Sequence, residues 1–117
     1  MKNDARKTTW ELYTSTWSEA HADTRVKMLE RSVHPDYAYT DPNVQARGHI
    51  QLSDYMAEFQ KNVPGGKFVT TKFEQHHDRC LVHYDLVGVD ESVLTTGASY
   101  GVFGADGRLV QMVGFQS

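Results

Sequence analysis

One cysteine, three prolines and no long apolar run leave this 117-residue sequence few staples, few hard breaks and no candidate span. With Cys80 alone, an intrachain disulfide is excluded. The start, Met1-Lys2-Asn3-Asp4-Ala5-Arg6-Lys7, leads into polar residues without the apolar core of a signal peptide. No stretch approaches the 18 or so apolar residues of a transmembrane helix. The expectation is a soluble cytoplasmic protein. Charge of one sign is also scarce. A net charge of −3 with interspersed signs forms no basic stripe, so nucleic acid is not an expected partner. Neither glycine-rich phosphate-cradling pattern, GxGxxG or GxxxxGKS/T, occurs.

What the chain does have is aromatic bulk: two tryptophans, six tyrosines and five phenylalanines. A single domain over residues 1–117 has room for a core of that kind without staples. The first half reads helical. Trp10, Tyr13, Trp17 and Ala20 recur on one helical face, with Asp4 as a candidate cap. Val26, Leu29 and Val33 repeat the spacing until His34-Pro35, because the residue before proline avoids helical angles. Tyr37 to Thr40 reads as a short extended piece. A third helix runs from about Gly48 to Asn62, its face made of Leu52, Tyr55, Met56, Phe59 and Val63, and Pro64-Gly65-Gly66 stops it.

The second half reads as strands: Lys67–Gln75, Cys80–Val89, Val93–Phe103 and Arg108–Gln116, separated by short hairpin-type loops, of which Ala105-Asp106-Gly107 carries the Asp-Gly signal. Three helices followed by an antiparallel meander make an α+β layout. Gly97 and Gly101 inside one strand, with glycines on its neighbours, mark either strong sheet curvature or relief of crowding.

Asp41 is the acid with the clearest chemical candidacy. It ends the aromatic run Tyr37-Ala38-Tyr39-Thr40 and precedes Pro42, which holds it in extended backbone. A carboxylate fixed there among apolar side chains suits a general base, and equally suits a turn former accepting backbone N–H bonds. The histidines give no metal-binding spacing. His76, His77 and His83 flank a turn and lack convergence on one point, so no metal is expected. His83 lies in an alternating strand and is a secondary acid–base candidate whose face depends on register. Cys80 in an apolar strand reads as a small buried hydrophobe. Arg47 and Arg79 have no sequence-level reason to approach Asp41, which argues against an epoxide-hydrolase arrangement.

The order of Tyr13 and Trp17, His34-Pro35-Asp36, Tyr39-Thr40-Asp41-Pro42, Arg47-Gly48, Pro64-Gly65 and Val102-Phe103-Gly104-Ala105-Asp106-Gly107-Arg108-Leu109 resembles the nuclear-transport-factor-2-like superfamily, and within it the SnoaL-like group and ketosteroid isomerase. The resemblance covers nearly the whole chain. It implies a cone-shaped α+β barrel, three N-terminal helices on a strongly curved antiparallel sheet, with an apolar pocket for a small hydrophobic or polycyclic molecule and a homodimer through the outer sheet face. It also implies a cofactor-independent isomerase or cyclase that removes a proton beside a carbonyl. In that reading Asp41 matches the base and Tyr13 the phenol that holds the developing oxyanion. The isomerase places a protonated aspartate beside that phenol; the matching position here is Ser99, a weaker donor. Trp17, Tyr55, Phe59, His83 and Phe115 would line the pocket. The alternative on the same fold is a non-catalytic binding or dimerisation module.

Overall fold

In the computed structural model, which describes residues 2–116 and side chains from Ala5 onward, the chain runs α1 (Lys2–Thr16), α2 (Ala22–Ser32), β1 (Val33–Asp41), β2 (Val44–Arg47), α3 (Gly48–Asn62), β3 (Lys67–His76), β4 (Arg79–Val87), β5 (Val93–Phe103) and β6 (Leu109–Gln116). The side chain of Asp4, the candidate cap, lies outside the described residues. Helix α1 buries Trp10 and Tyr13 edge to face, ring centroids 5.1 Å apart. It ends sooner than the aromatic spacing predicts. The Ser15 and Thr16 hydroxyls both donate to the Leu12 carbonyl, and the chain tightens into three-residue turns from Trp17 to Glu19. Trp17 therefore sits beyond the helix, and so does Ala20.

Helix α2 buries Leu29 and also Arg25, whose guanidinium donates to Ser53 on α3 and to the carbonyls of Glu19 and Ala20. These bonds tie the α1–α2 connection to α3 and satisfy a charge that would otherwise be costly to bury. The helix stops at Ser32, two residues before the His34-Pro35 step, because Val33 is already extended and opens β1. Pro35 leaves its mark differently: it lacks an N–H, and the β1–β6 ladder breaks between Val33 and Ala38. Helix α3 begins at Gly48, whose φ of +84° favours glycine, and buries Leu52 and Met56 completely.

Six strands form one sheet in the order β2-β1-β6-β5-β4-β3. The four long C-terminal-half strands pair antiparallel as their spacing predicts, while β1 runs parallel to β6, so the sheet is mixed. Strand β2 was not legible beforehand: the segment after Pro42-Asn43 turns back and pairs Asp41 with Val44. Register shifts at Thr70/Lys72, Leu86/Val87 and Val102/Phe103 bend the sheet. The three helices pack against its concave side over a core that includes Leu29, Tyr37, Leu52, Met56 and Leu109. Among the described residues no helix is long and apolar enough to cross a membrane.

Candidate functional site

Alternation along β1 decides what meets the core. Tyr37, Tyr39 and Asp41 share one face, and the tyrosines are buried while Asp41 is half-buried at the strand's end. The two oxygens of Asp41 face different tasks. Oδ1 accepts the backbone N–H groups of Asn43 (2.8 Å) and Val44 (3.1 Å), which closes the β1–β2 turn. Oδ2 accepts the hydroxyls of Tyr39 (2.7 Å) and Tyr55 (3.0 Å). The turn-forming role and the inward-facing role thus coexist in one carboxylate. Its four lone-pair positions are all engaged.

The phenols around it keep their protons. Burial, reinforced by the hydrogen bond to Asp41, pushes Tyr55 up to about 12. Burial also raises Tyr39 well above the ordinary phenol value, with the neighbouring Tyr13 and Asp41 adding to the shift. Tyr13 is raised above the usual phenol value by desolvation, which the Trp17 side chain partly opposes by hydrogen bonding to it.

These groups border a cavity of about 60 Å³. Asp41, Tyr13, Tyr39, Tyr55, Ser99 and Gly114 form its polar end, and Trp17, Phe59, Phe68 and Tyr84 contribute aromatic walls. Gly114 keeps that end open: a methyl built there would lie 3.5 Å from the Asp41 Cβ, 3.8 Å from the Tyr39 hydroxyl and 3.9 Å from the Ser99 Oγ. Asp41 and Ser99, far apart in sequence, therefore flank one point.

A sequence model of the SnoaL-like domain matches residues 14–112. The chain belongs to the SnoaL-like family. Among solved structures, this SnoaL-like domain is similar to a candidate isomerase of the same family from Agrobacterium tumefaciens, with 20% identity, 97% of this chain and 98% of that one covered, and a TM-score of 0.90. A candidate polyketide cyclase from Sinorhizobium meliloti shares 16% identity over 92% and 93% of the two chains, TM-score 0.73. TerC, co-crystallised with polyporic acid, shares 13% identity over 97% and 92%, TM-score 0.75. At such identities the likeness is one of fold. Comparison with curated proteins gives no match.

Six of the eight side chains singled out from the sequence border the cavity of this SnoaL-like domain: Asp41, Tyr13, Ser99, Trp17, Tyr55 and Phe59. His83 and Phe115 do not. Phe115 is 62% exposed on the outer face, since Gly114 takes the inward position and a strand alternates. His83 pairs with Ala98, which pairs with Phe115, so all three belong to that outer row. The His83 imidazole lies 4.0 Å from the Glu74 carboxylate there. Arg79 is occupied outside the cavity by Tyr100 and Asp78. Cys80 is buried, and desolvation pushes its thiol up to about 12, which leaves it inert at neutral pH. Among the described residues no group of three or more histidines, cysteines or acids is placed to hold a metal.

Tyr39, Phe68 and Tyr84 were missed. Tyr39 carried a readable signal, because it stands two residues before Asp41 in extended backbone. Tyr84 needed the strand register: it pairs with Gly97, and its ring lies where a side chain at Gly97 would otherwise project. A Cβ at Gly97 would stand 2.4 Å from both the Phe115 carbonyl oxygen and the Tyr84 hydroxyl. One obstacle is backbone, so relief requires the sheet to shift. Gly97→Ala is expected to lower stability by about 1–3 kcal/mol, read from the urea midpoint at unchanged m-value.

Proposed function

We propose that this domain binds a small molecule in the cavity and moves a proton beside a carbonyl without a cofactor, as an isomerase or cyclase. The supporting observation is that the Asp41 carboxylate and the Tyr13 phenol border one cavity. In this reading Oδ2 of Asp41 takes a proton from the carbon next to the carbonyl. The C–H electrons pass into the enolate, whose oxygen accepts the Tyr13 O–H, with Ser99 as a second donor. The proton returns to a different carbon in an isomerisation; in a cyclisation the enolate carbon attacks a second carbonyl. Because Oδ2 already accepts two phenols, one must let go first. Tyr55 is the freer of the two, being half-buried where Tyr39 is buried. The cavity's 60 Å³ accommodates a few waters, so any larger ligand requires its walls to give way.

The test is hydrogen exchange at carbon. Enolisable cyclic ketones and diketones are incubated with the protein in D2O and followed by proton NMR. Protein-dependent loss of the α-proton signal is the expected outcome. A ligand that binds and never exchanges favours the second reading, a non-catalytic binding module. That reading draws on the four hydrogen bonds that already saturate Asp41.

The outer face of the sheet supports a homodimer on the same reading. Leu81, Tyr100 and Val113 form one cross-strand row and His83, Ala98 and Phe115 the next, with Leu81 41% and Phe115 62% exposed. Light scattering at micromolar concentration is expected to give twice the chain mass of 13.3 kDa. A mass equal to one chain rejects the dimer.

A further inference from the structure

The cavity is lopsided in charge. Asp41 is the one charged side chain among the described residues lining it; among them no lysine, arginine or histidine reaches it. Its hydrogen bonds come from two backbone amides and two phenols, all of them neutral donors. The carboxylate is therefore satisfied in hydrogen bonding and uncompensated in charge. Both phenols spend their protons on it, so Tyr39 and Tyr55 offer a ligand only oxygen lone pairs. Rings make up much of the rest of the lining, beside Thr14, Thr70 and Gln116. Trp17 lies 5.5 Å from Phe59 and 5.7 Å from Phe68 between centroids, and Phe59 stacks on Phe68 at 5.2 Å.

A group suited to this surface carries positive charge, needs no hydrogen-bond acceptor and tolerates aromatic contact. A quaternary ammonium meets all three conditions. It has no N–H to satisfy, so it neutralises Asp41 without displacing any of the four donors. Its methyl groups carry the spread charge against ring faces, whose quadrupole attracts cations. An anion would face the carboxylate with no described cation to offset it. We propose that the cavity selects compact organic cations, a quaternary ammonium head above all. The chain's net charge of −3 favours their approach. The inference rests on the cavity being the ligand site, as in the function proposed above, and is independent of proton transfer.

The probes are tetramethylammonium, the similarly shaped neutral tert-butanol and the anion trimethylacetate, titrated at constant ionic strength. Fluorescence of Trp10 and Trp17, both beside the cavity, and their indole N–H resonances report binding. Tetramethylammonium is expected to saturate with a Kd about tenfold below that of tert-butanol, and trimethylacetate to show no saturation. Asp41→Asn is expected to erase the preference for the cation, and Phe59→Leu to weaken the cation about threefold more than it weakens tert-butanol. Melting curves establish that each variant is folded; Phe59→Leu alone carries the comparison should the other fail. Equal or tighter binding of tert-butanol, no saturation by tetramethylammonium, or a cation preference undiminished in the folded variants would overturn the proposal. Cation binding with no carbon exchange for any ketone removes the catalytic reading and keeps this one. Carbon exchange without cation binding does the reverse.

Discussion

Trp17→Ala is expected to lower the unfolding free energy by about 3–5 kcal/mol, the usual range for deleting a large buried aromatic ring. Trp17 is only 5% exposed and is the hub of the aromatic cluster: its ring centroid lies within 5.7 Å of those of Tyr39, Tyr55, Phe59 and Phe68. Edge-to-face pairs of this kind add about 0.5–1.5 kcal/mol each beyond buried area, although their sum is not additive. Because Trp17 stands past the end of α1, the substitution does not gain helix propensity that would mask the loss. Denaturant unfolding measures it. A loss below about 1 kcal/mol would mean that the four rings collapse into the space, contrary to this packing. Trp17→Phe separates bulk from bonding. It keeps most of the packing and removes the indole N–H, so it is expected to destabilise much less than Trp17→Ala.

The second large effect concerns rate. Asp41→Asn is expected to reduce carbon-acid exchange by about 10²–10⁴-fold, the contribution typical of a positioned general base. The stability cost should stay near 1–2 kcal/mol. An asparagine Oδ1 can still accept the Asn43 and Val44 amides, so the β1–β2 turn persists. Its Nδ2 can donate to the Tyr39 or Tyr55 oxygen, reversing those bonds. Exchange rates normalised to folded protein and thermal melts decide between roles. A loss above about 3 kcal/mol with an unchanged rate per folded molecule would assign Asp41 to the turn alone.

Much of this arrangement was legible because local rules and tertiary structure agree. The meander strands follow from alternation and turn chemistry, and Asp41 from the single proline after it. Ser99 reaches the cavity because alternation along β5 puts it on the same face as the buried Gly101 and Phe103. Where the structure departs from the periodicity, hydrogen bonds or strand pairing that periodicity does not show decide the outcome. Trp17 continues the helical spacing of Trp10 and Tyr13, yet hydroxyls at Ser15 and Thr16 end the helix first. The face of His83 depends on register, and Phe115 is expected at the pocket; cross-strand pairing with Ala98 places both on the outer face. The parallel partnership of β1 and β6 has no sequence signature at all, since hydrophobic alternation does not name the neighbour. The charge imbalance of the cavity was equally hidden, because which cations stay outside depends on where the chain turns.

The place of β6 in the middle of the sheet governs the order in which the molecule can be assembled. Thr40 pairs with Val113, so β1 has no long partner until the last strand in sequence arrives. Until then the chain holds two separate pieces, the β1–β2 hairpin with the helices and the β3–β5 meander, each with an unpaired edge open to other chains. Closing so long a loop is slow compared with forming hairpins. Gly114, which keeps the polar end of the cavity open, arrives on that same strand. Translation therefore completes the candidate site and pairs the open edges of β1 and β5 in one step, and a nascent chain halted before β6 has neither.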